Sequence, residues 1–102
     1  MRVKVYSNNV PVNSPWGKVK FKEQFAQGIW YVSTASHGGI WLSPERRKEM
    51  NRKSAFLKSY TWWEEDEDCF IPISFFSNNI LSFSPDKERI VIAAREFLQK
   101  KQ

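Results

Sequence analysis

Seven consecutive residues, Ser33–Thr34–Ala35–Ser36–His37–Gly38–Gly39, hold three hydroxyls, the chain's one histidine and a glycine pair. A hydroxyl beside an imidazole is the material of an activated nucleophile, and glycines let a backbone approach an oxyanion. Their order argues against that chemistry. Triad partners come from separate segments, because sequence neighbours do not easily reach one another in the required geometry. The glycine pair also lacks the strand–turn–helix spacing of a phosphate loop or a nucleophile elbow. The competing expectation is a tight turn between strands, with glycine supplying positive φ and His37 capping it.

A second box is Trp62–Trp63–Glu64–Glu65–Asp66–Glu67–Asp68. Clustered carboxylates can hold Mg²⁺ or Ca²⁺ through oxygen, but the run does not match the Asp-x-Asp-x-Asp-Gly calcium loop. If the boxes meet in space, His37 and the carboxylates could form a mixed metal site. The plainer expectation places the acids at a helix N-terminus, paired with nearby Arg or Lys. No metal or cofactor is assigned on this basis. Cys69 is the only cysteine, so an internal disulfide is excluded and a reducing, cytoplasmic compartment is expected.

Charge is uneven. Residues 1–61 carry eleven Lys/Arg and three acids, residues 62–69 five acids and no base, and residues 70–102 five bases and three acids. Two basic groups stand out as candidate partner-binding surface. Lys18, Lys20 and Lys22 alternate with Val19 and Phe21, which on one strand turns three ammonium groups outward and the apolar pair inward. Arg46, Arg47, Lys48, Arg52, Lys53 and Lys58 form the other. Either an anionic partner or plain solvation of a small aromatic-rich protein accounts for them. Trp62 and Trp63 are adjacent and cannot both face a core, so one is a candidate interface anchor.

The elements that must position these boxes follow from local pattern. Arg2–Tyr6 reads as a short strand and Ser7–Ser14 as a loop, followed by a turn at Pro15–Trp16–Gly17. Lys18–Phe25 and Ile29–Thr34 read as strands joined by a hairpin turn at Gln27–Gly28. Ala35–Gly39 reads as a turn and Ile40–Leu42 as a third strand. Ser43–Pro44–Glu45 has helix-start chemistry, with a helix expected to about Met50. Ala55–Tyr60 is ambiguous. Glu65–Phe76 reads as a helix tolerating Pro72 in its first turns, with a strand as competitor. Ser77–Asn79 reads as a turn. Ser84–Pro85–Asp86 repeats the helix start, and Ile90, Val91, Ala94, Phe97 and Leu98 then follow one helical face. The expected class is α+β: a small antiparallel sheet packed by two or three helices, the last C-terminal and amphipathic, in a single domain spanning residues 1–102. No apolar run is long enough for a membrane span.

Taken in order, Ser14–Pro15–Trp16–Gly17, Gly28–Ile29, Val32–Ser33–Thr34–Ala35–Ser36–His37–Gly38–Gly39–Ile40, Leu42–Ser43–Pro44–Glu45–Arg46 and Trp63–Glu64–Glu65–Asp66 resemble a domain family of unknown function in phage, plasmid and other mobile-element proteins of bacteria. The resemblance spans residues 14–76. The family pattern has a Cys directly after Glu-Glu-Asp, where this chain has Glu67. Recurrence of the two boxes together implies that they meet. Ser33, Ser36, His37, Glu64, Glu65 and Asp66 are therefore expected to form one polar centre, with His37 hydrogen-bonded to a carboxylate.

The resemblance also implies a setting, since small mobile-element proteins often block host machinery, including restriction and CRISPR effectors. The leading expectation is a non-enzymatic protein-binding module, an inhibitor of a bacterial defence system such as CRISPR-Cas. Its partner would be a bacterial protein complex, such as a nucleic-acid-binding defence effector. Two alternatives stand beside it. One is a nucleic-acid-binding module using the basic face, although no recognised nucleic-acid motif is present. The other is a small metal-dependent hydrolase built on His37 and the acidic cluster.

Overall fold

The computed structural model describes residues 5–53 and 60–100. Its centre is a four-stranded antiparallel sheet, formed by β3 (Phe21–Ala26), β4 (Ile29–Ser33), β5 (Gly38–Leu42) and β6 (Trp62–Glu64) in that spatial order. A separate two-stranded ribbon, β1 (Asn13–Ser14) and β2 (Gly17–Lys18), precedes it. Among the described residues, four α-helices accompany the sheet: α1 (Pro44–Lys53), α2 (Phe70–Phe75), α3 (Ser77–Phe83) and α4 (Glu88–Lys100). The class is α+β with an antiparallel sheet, as the sequence predicts.

Period-two alternation gives the sheet two unlike faces. Ile29, Ile40, Leu42 and Trp63 join Met50, Ile73, Phe76, Ile80, Val91 and Ala94 in the main core. Trp30, Trp41 and Trp62 lie in register across β4, β5 and β6, on the opposite face. That face is not left to water. Trp16 packs edge-on against Trp62, with ring centroids 5.8 Å apart. Trp41 and Val32 are buried, yet neither belongs to the main core cluster. The segment before the sheet is therefore a strap over its second face.

Asn8 fastens that strap. Its Oδ1 accepts from the Gly28 backbone N–H at 2.7 Å, from Trp30 Nε1 at 3.0 Å and from Gln24 Nε2 at 3.1 Å. Its Nδ2 donates to Gln27 Oε1 at 2.6 Å. Further along, Tyr6 donates to Glu49 Oε2 at 2.6 Å and the Ser7 N–H donates to Glu45 Oε1 at 2.8 Å, tying the strap to α1.

Several sequence expectations change. Of the expected Arg2–Tyr6 strand, residues 2–4 lie outside the described residues, and Val5 and Tyr6 are not in a strand. The expected Lys18–Phe25 strand is interrupted at Val19–Lys20, where the chain leaves the ribbon for the main sheet. There the Val19 N–H donates to the Val12 carbonyl and the Lys20 N–H to the Ser33 carbonyl. Asn13 and Ser14 pair with Lys18 and Gly17 instead of forming loop. Gly38 and Gly39 belong to β5 and not to a turn, and positive φ occurs only at Gly17 and Gly28 among the described glycines.

The helices differ as well. Ser43 does cap α1, its Oγ accepting from the Arg46 N–H at 3.2 Å, and α1 runs past Met50 to Lys53. Residues 54–59, most of the ambiguous stretch, lie outside the described residues. Of the expected Glu65–Phe76 helix only Phe70–Phe75 is helical, and residues 65–69 form a turn after β6. β6 pairs with β5, and α2 starts at Phe70. Pro72 explains the late start: a residue without an N–H is tolerated only in the first turn, and α2 places it third. Ser77–Asn79 opens α3 and is not a turn. Ser84 makes no side-chain cap bond, and a 3₁₀ turn at Pro85–Lys87 precedes α4. The expected α4 face is inward, with Val91 and Ala94 buried and Ile90, Phe97 and Leu98 half-buried.

Candidate functional site

The two boxes meet along the β5–β6 ladder. Gly39 pairs with Glu64 and Ile40 with Trp63, and the Glu65 N–H donates to the Gly38 carbonyl at 2.9 Å. His37 Nδ1 lies 3.5 Å from Glu64 Oε1, both side chains about half exposed. The turn before β5 is held by Thr34. Its backbone N–H donates to the His37 carbonyl at 2.7 Å, and its Oγ1 accepts from the His37 N–H at 3.1 Å. The His37 backbone and the Thr34 side chain thus close the turn that was assigned to the His37 side chain.

The glycines have a reason other than positive φ. A Cβ on Gly39 would collide with the Trp63 carbonyl oxygen and sit 2.6 Å from the Trp16 ring. A Cβ on Gly38 would sit 2.7 Å from the Tyr31 hydroxyl and 3.0 Å from Glu65 Oε2. The pair lets β5 pack closely under Trp16 and against the Trp63 backbone carbonyl at Gly39, and leaves room for the Tyr31–Glu65 contact at Gly38.

That geometry splits the expected polar centre. Glu64 faces His37, whereas Glu65 accepts from the Tyr31 hydroxyl at 3.2 Å beside the helices. Asp66 is exposed in the turn. Ser33 sits in β4 opposite Gly38, and Ser36 is exposed. Among the described residues neither hydroxyl hydrogen-bonds His37, and no group of three His, Cys, Asp or Glu side chains is placed to hold a metal ion. Cys69 is buried and its Sγ lies 3.2 Å from the Glu65 carbonyl oxygen. Burial, followed by the Glu65 charge, pushes its thiol up to about 11, away from the thiolate that a nucleophile needs. Burial and Glu65 likewise raise the Tyr31 phenol above its ordinary value.

The basic groups separate into structural and free. Arg46 is only 4% exposed, which corrects its assignment to a partner surface. Its guanidinium stacks 3.7 Å from the Tyr6 ring centroid, donates to the Gln27 carbonyl at 2.8 Å and pairs with Glu49 at 2.9 Å. Sequence reasoning missed this joint, because Tyr6, Gln27 and Glu49 are brought together only by the fold. Arg47 is half-buried, with a buried Nε that has no hydrogen-bond partner, while Lys48 and Arg52 are exposed on α1. The Lys53 side chain lies outside the described residues. Lys87, which was not singled out, pairs with Glu23 and Asp86.

Lys18, Lys20 and Lys22 are exposed, and none forms an ion pair among the described residues. Lys22 Nζ lies 5.4 Å above the Trp30 ring. Of the apolar pair expected to face inward, Val19 is half-buried but Phe21 is 55% exposed, and Val12 beside them is 65% exposed. Val10, Val12, Val19 and Phe21 line a shallow groove of about 170 Å³ with Lys20 and Lys22 at its sides. The groove lies at the start of β3, one of the two outer strands of the sheet. Neither tryptophan of the second box is a bare anchor. Trp63 is 2% exposed and donates through Nε1 to the Tyr60 carbonyl at 2.9 Å, and Trp62 is half-covered by Trp16.

No helix among the described residues is long and apolar enough to cross a membrane. Residues 9–100 match the family model of DUF7007, a domain of unknown function, so the chain belongs to that family. No curated protein and no solved structure matched the chain.

Proposed function

We propose that this member of the DUF7007 family is a non-enzymatic binding module that docks an acidic face of a bacterial protein in the lysine-flanked groove at the start of β3. Phe21 carries the reading: an aromatic ring 55% exposed on an outer strand, between two lysines free of ion pairs among the described residues. Covering such a ring returns about 1–2 kcal/mol. Acidic groups on the partner would complement the ammonium groups and speed its approach. Thr34 Oγ1 is engaged by the His37 backbone, Ser33 and Ser36 make no bond to His37 among the described residues, and the Cys69 thiol is held up, all of which support a role without covalent catalysis.

The proposal extends to a setting. A phage, plasmid or other mobile element would supply the protein, which would act in the bacterial cytoplasm by occupying a defence complex such as a CRISPR-Cas effector. This extension rests on the resemblance of the boxes to mobile-element proteins. Expression in a strain whose CRISPR-Cas system rejects a targeted plasmid should restore transformation. Continued rejection despite soluble expression would remove the extension and leave the docking proposal standing.

Docking is tested by immobilising the protein in bacterial lysate with and without nuclease. A protein complex retained after nuclease, and lost from the Lys20→Glu/Lys22→Glu variant, is the expected result. Loss of every partner after nuclease would favour nucleic acid on the same basic face.

A further inference from the structure

We propose that the cleft between the helix-covered side of the sheet and helices α2 and α4 binds a small organic ammonium ion, a protonated or methylated amine with an apolar stem. The cleft has a volume of about 370 Å³, within the range of small-molecule sites. Phe25, Ile40 and Ile73 form its buried floor, and Tyr31 and Phe70 its half-buried walls. The Phe97 ring backs Phe70 at 5.1 Å between centroids, and Tyr31 stacks on Phe25 at 6.2 Å. Glu65 stands at the mouth, oriented by the Tyr31 hydroxyl at 3.2 Å. Gly38 leaves the room that this contact requires.

The protein itself shows which ligand this chemistry accepts. On two residues that also line the cleft, Lys87 holds its ammonium 5.3 Å from the Phe25 ring centroid while pairing with Glu23. Around the remaining space, Tyr31, Phe70 and Glu65 repeat the combination of aromatic faces and a carboxylate. Among the described residues, no Lys, Arg or His pairs with Glu65. An anion would be repelled by Glu65, and an uncharged apolar molecule would gain nothing from its charge. An ammonium head with an apolar stem satisfies both the rings and the charge. The site shares no residue with the lysine-flanked groove.

Choline and its uncharged carbon isostere, in which carbon replaces the nitrogen, distinguish the proposal from a merely greasy cleft. Choline should produce saturable amide shifts at Glu65, Cys69, Phe70 and Ile90 in nitrogen-15 spectra, and the isostere should not. Glu65→Gln should weaken choline by about fivefold with unchanged melting, and Phe70→Leu by about threefold in protein that remains folded. Lys20→Glu/Lys22→Glu should bind choline normally, so the outcome is independent of the docking proposal. Equal binding of the isostere, indifference to both cleft variants, or the absence of choline-dependent shifts would overturn the assignment.

Discussion

Asn8 shows how much one side chain can decide. Its amide oxygen accepts from a turn N–H, an indole and a glutamine, and its amide nitrogen reaches Gln27. Asn8→Ala leaves Gly28 N–H and Trp30 Nε1 without their acceptor, for a loss of about 2 kcal/mol. Urea unfolding should record that loss, and the Trp30 indole proton should shift. Nothing in Asn8–Asn9 announces this role, since the sequence pattern marks only a loop. The partners lie across a tertiary contact that local pattern does not encode.

Cys69 supports a second prediction at this scale. Its thiol, held up at about 11, should alkylate far more slowly than a free cysteine at pH 8 in the folded protein, and normally in denaturant. The sign for stability follows. The folded value lies above the ordinary value of 9.0, so this contribution is complete below about pH 9 and is lost as pH rises through about 11. A fold equally stable across that interval would show that the thiol is not held neutral.

At the scale of elements, β5 is the point on which the fold turns. All five of its residues are buried, because helices cover one face and the strap the other. Its glycines were legible as a box, but their purpose was not. The Trp63 carbonyl opposite Gly39 arrives through pairing with a strand more than twenty residues away. Gly39→Ala should cost about 3 kcal/mol and separate β6 from β5, read as a lower melting temperature and faster exchange of the Glu65 amide. An unchanged melting temperature would mean that the strands are not packed this closely.

The strap also predicts an acid response. The Ser7 N–H first of all holds the Glu45 carboxyl below its ordinary value of 4.5. Its contribution is present above that pH and is lost as pH falls through the lowered folded value. Glu45→Gln should flatten this part of the acid-stability curve. Helix α4 was readable because its apolar residues repeat at helical spacing over thirteen residues. Helices α2 and α3 were harder to place because each is short, and Pro72 and Ser77–Asn78–Asn79 carry signals shared with turns.

For the whole molecule, a count of lysines and arginines did not distinguish joint from surface. Arg46 fastens strap, helix and turn, whereas Lys18, Lys20 and Lys22 remain in solvent. The lysine alternation was visible in the sequence. The break at Val19–Lys20 was not, because the handover from ribbon to sheet depends on the distant Ser33 carbonyl. Lysines on an outer strand also discourage unwanted pairing, so their exposure acquires a binding role only if a partner depends on them.

The most direct measurement of the docking claim is retention of the captured, nuclease-resistant protein complex by wild type and Lys20→Glu/Lys22→Glu, at low and high salt. Both proteins should melt alike, because these lysines form no ion pair among the described residues. Wild type should retain the complex at low salt and release most of it at high salt, since exposed charges are screened. The reversed protein should retain none. Full-strength, salt-insensitive capture by the folded, charge-reversed protein would contradict the account.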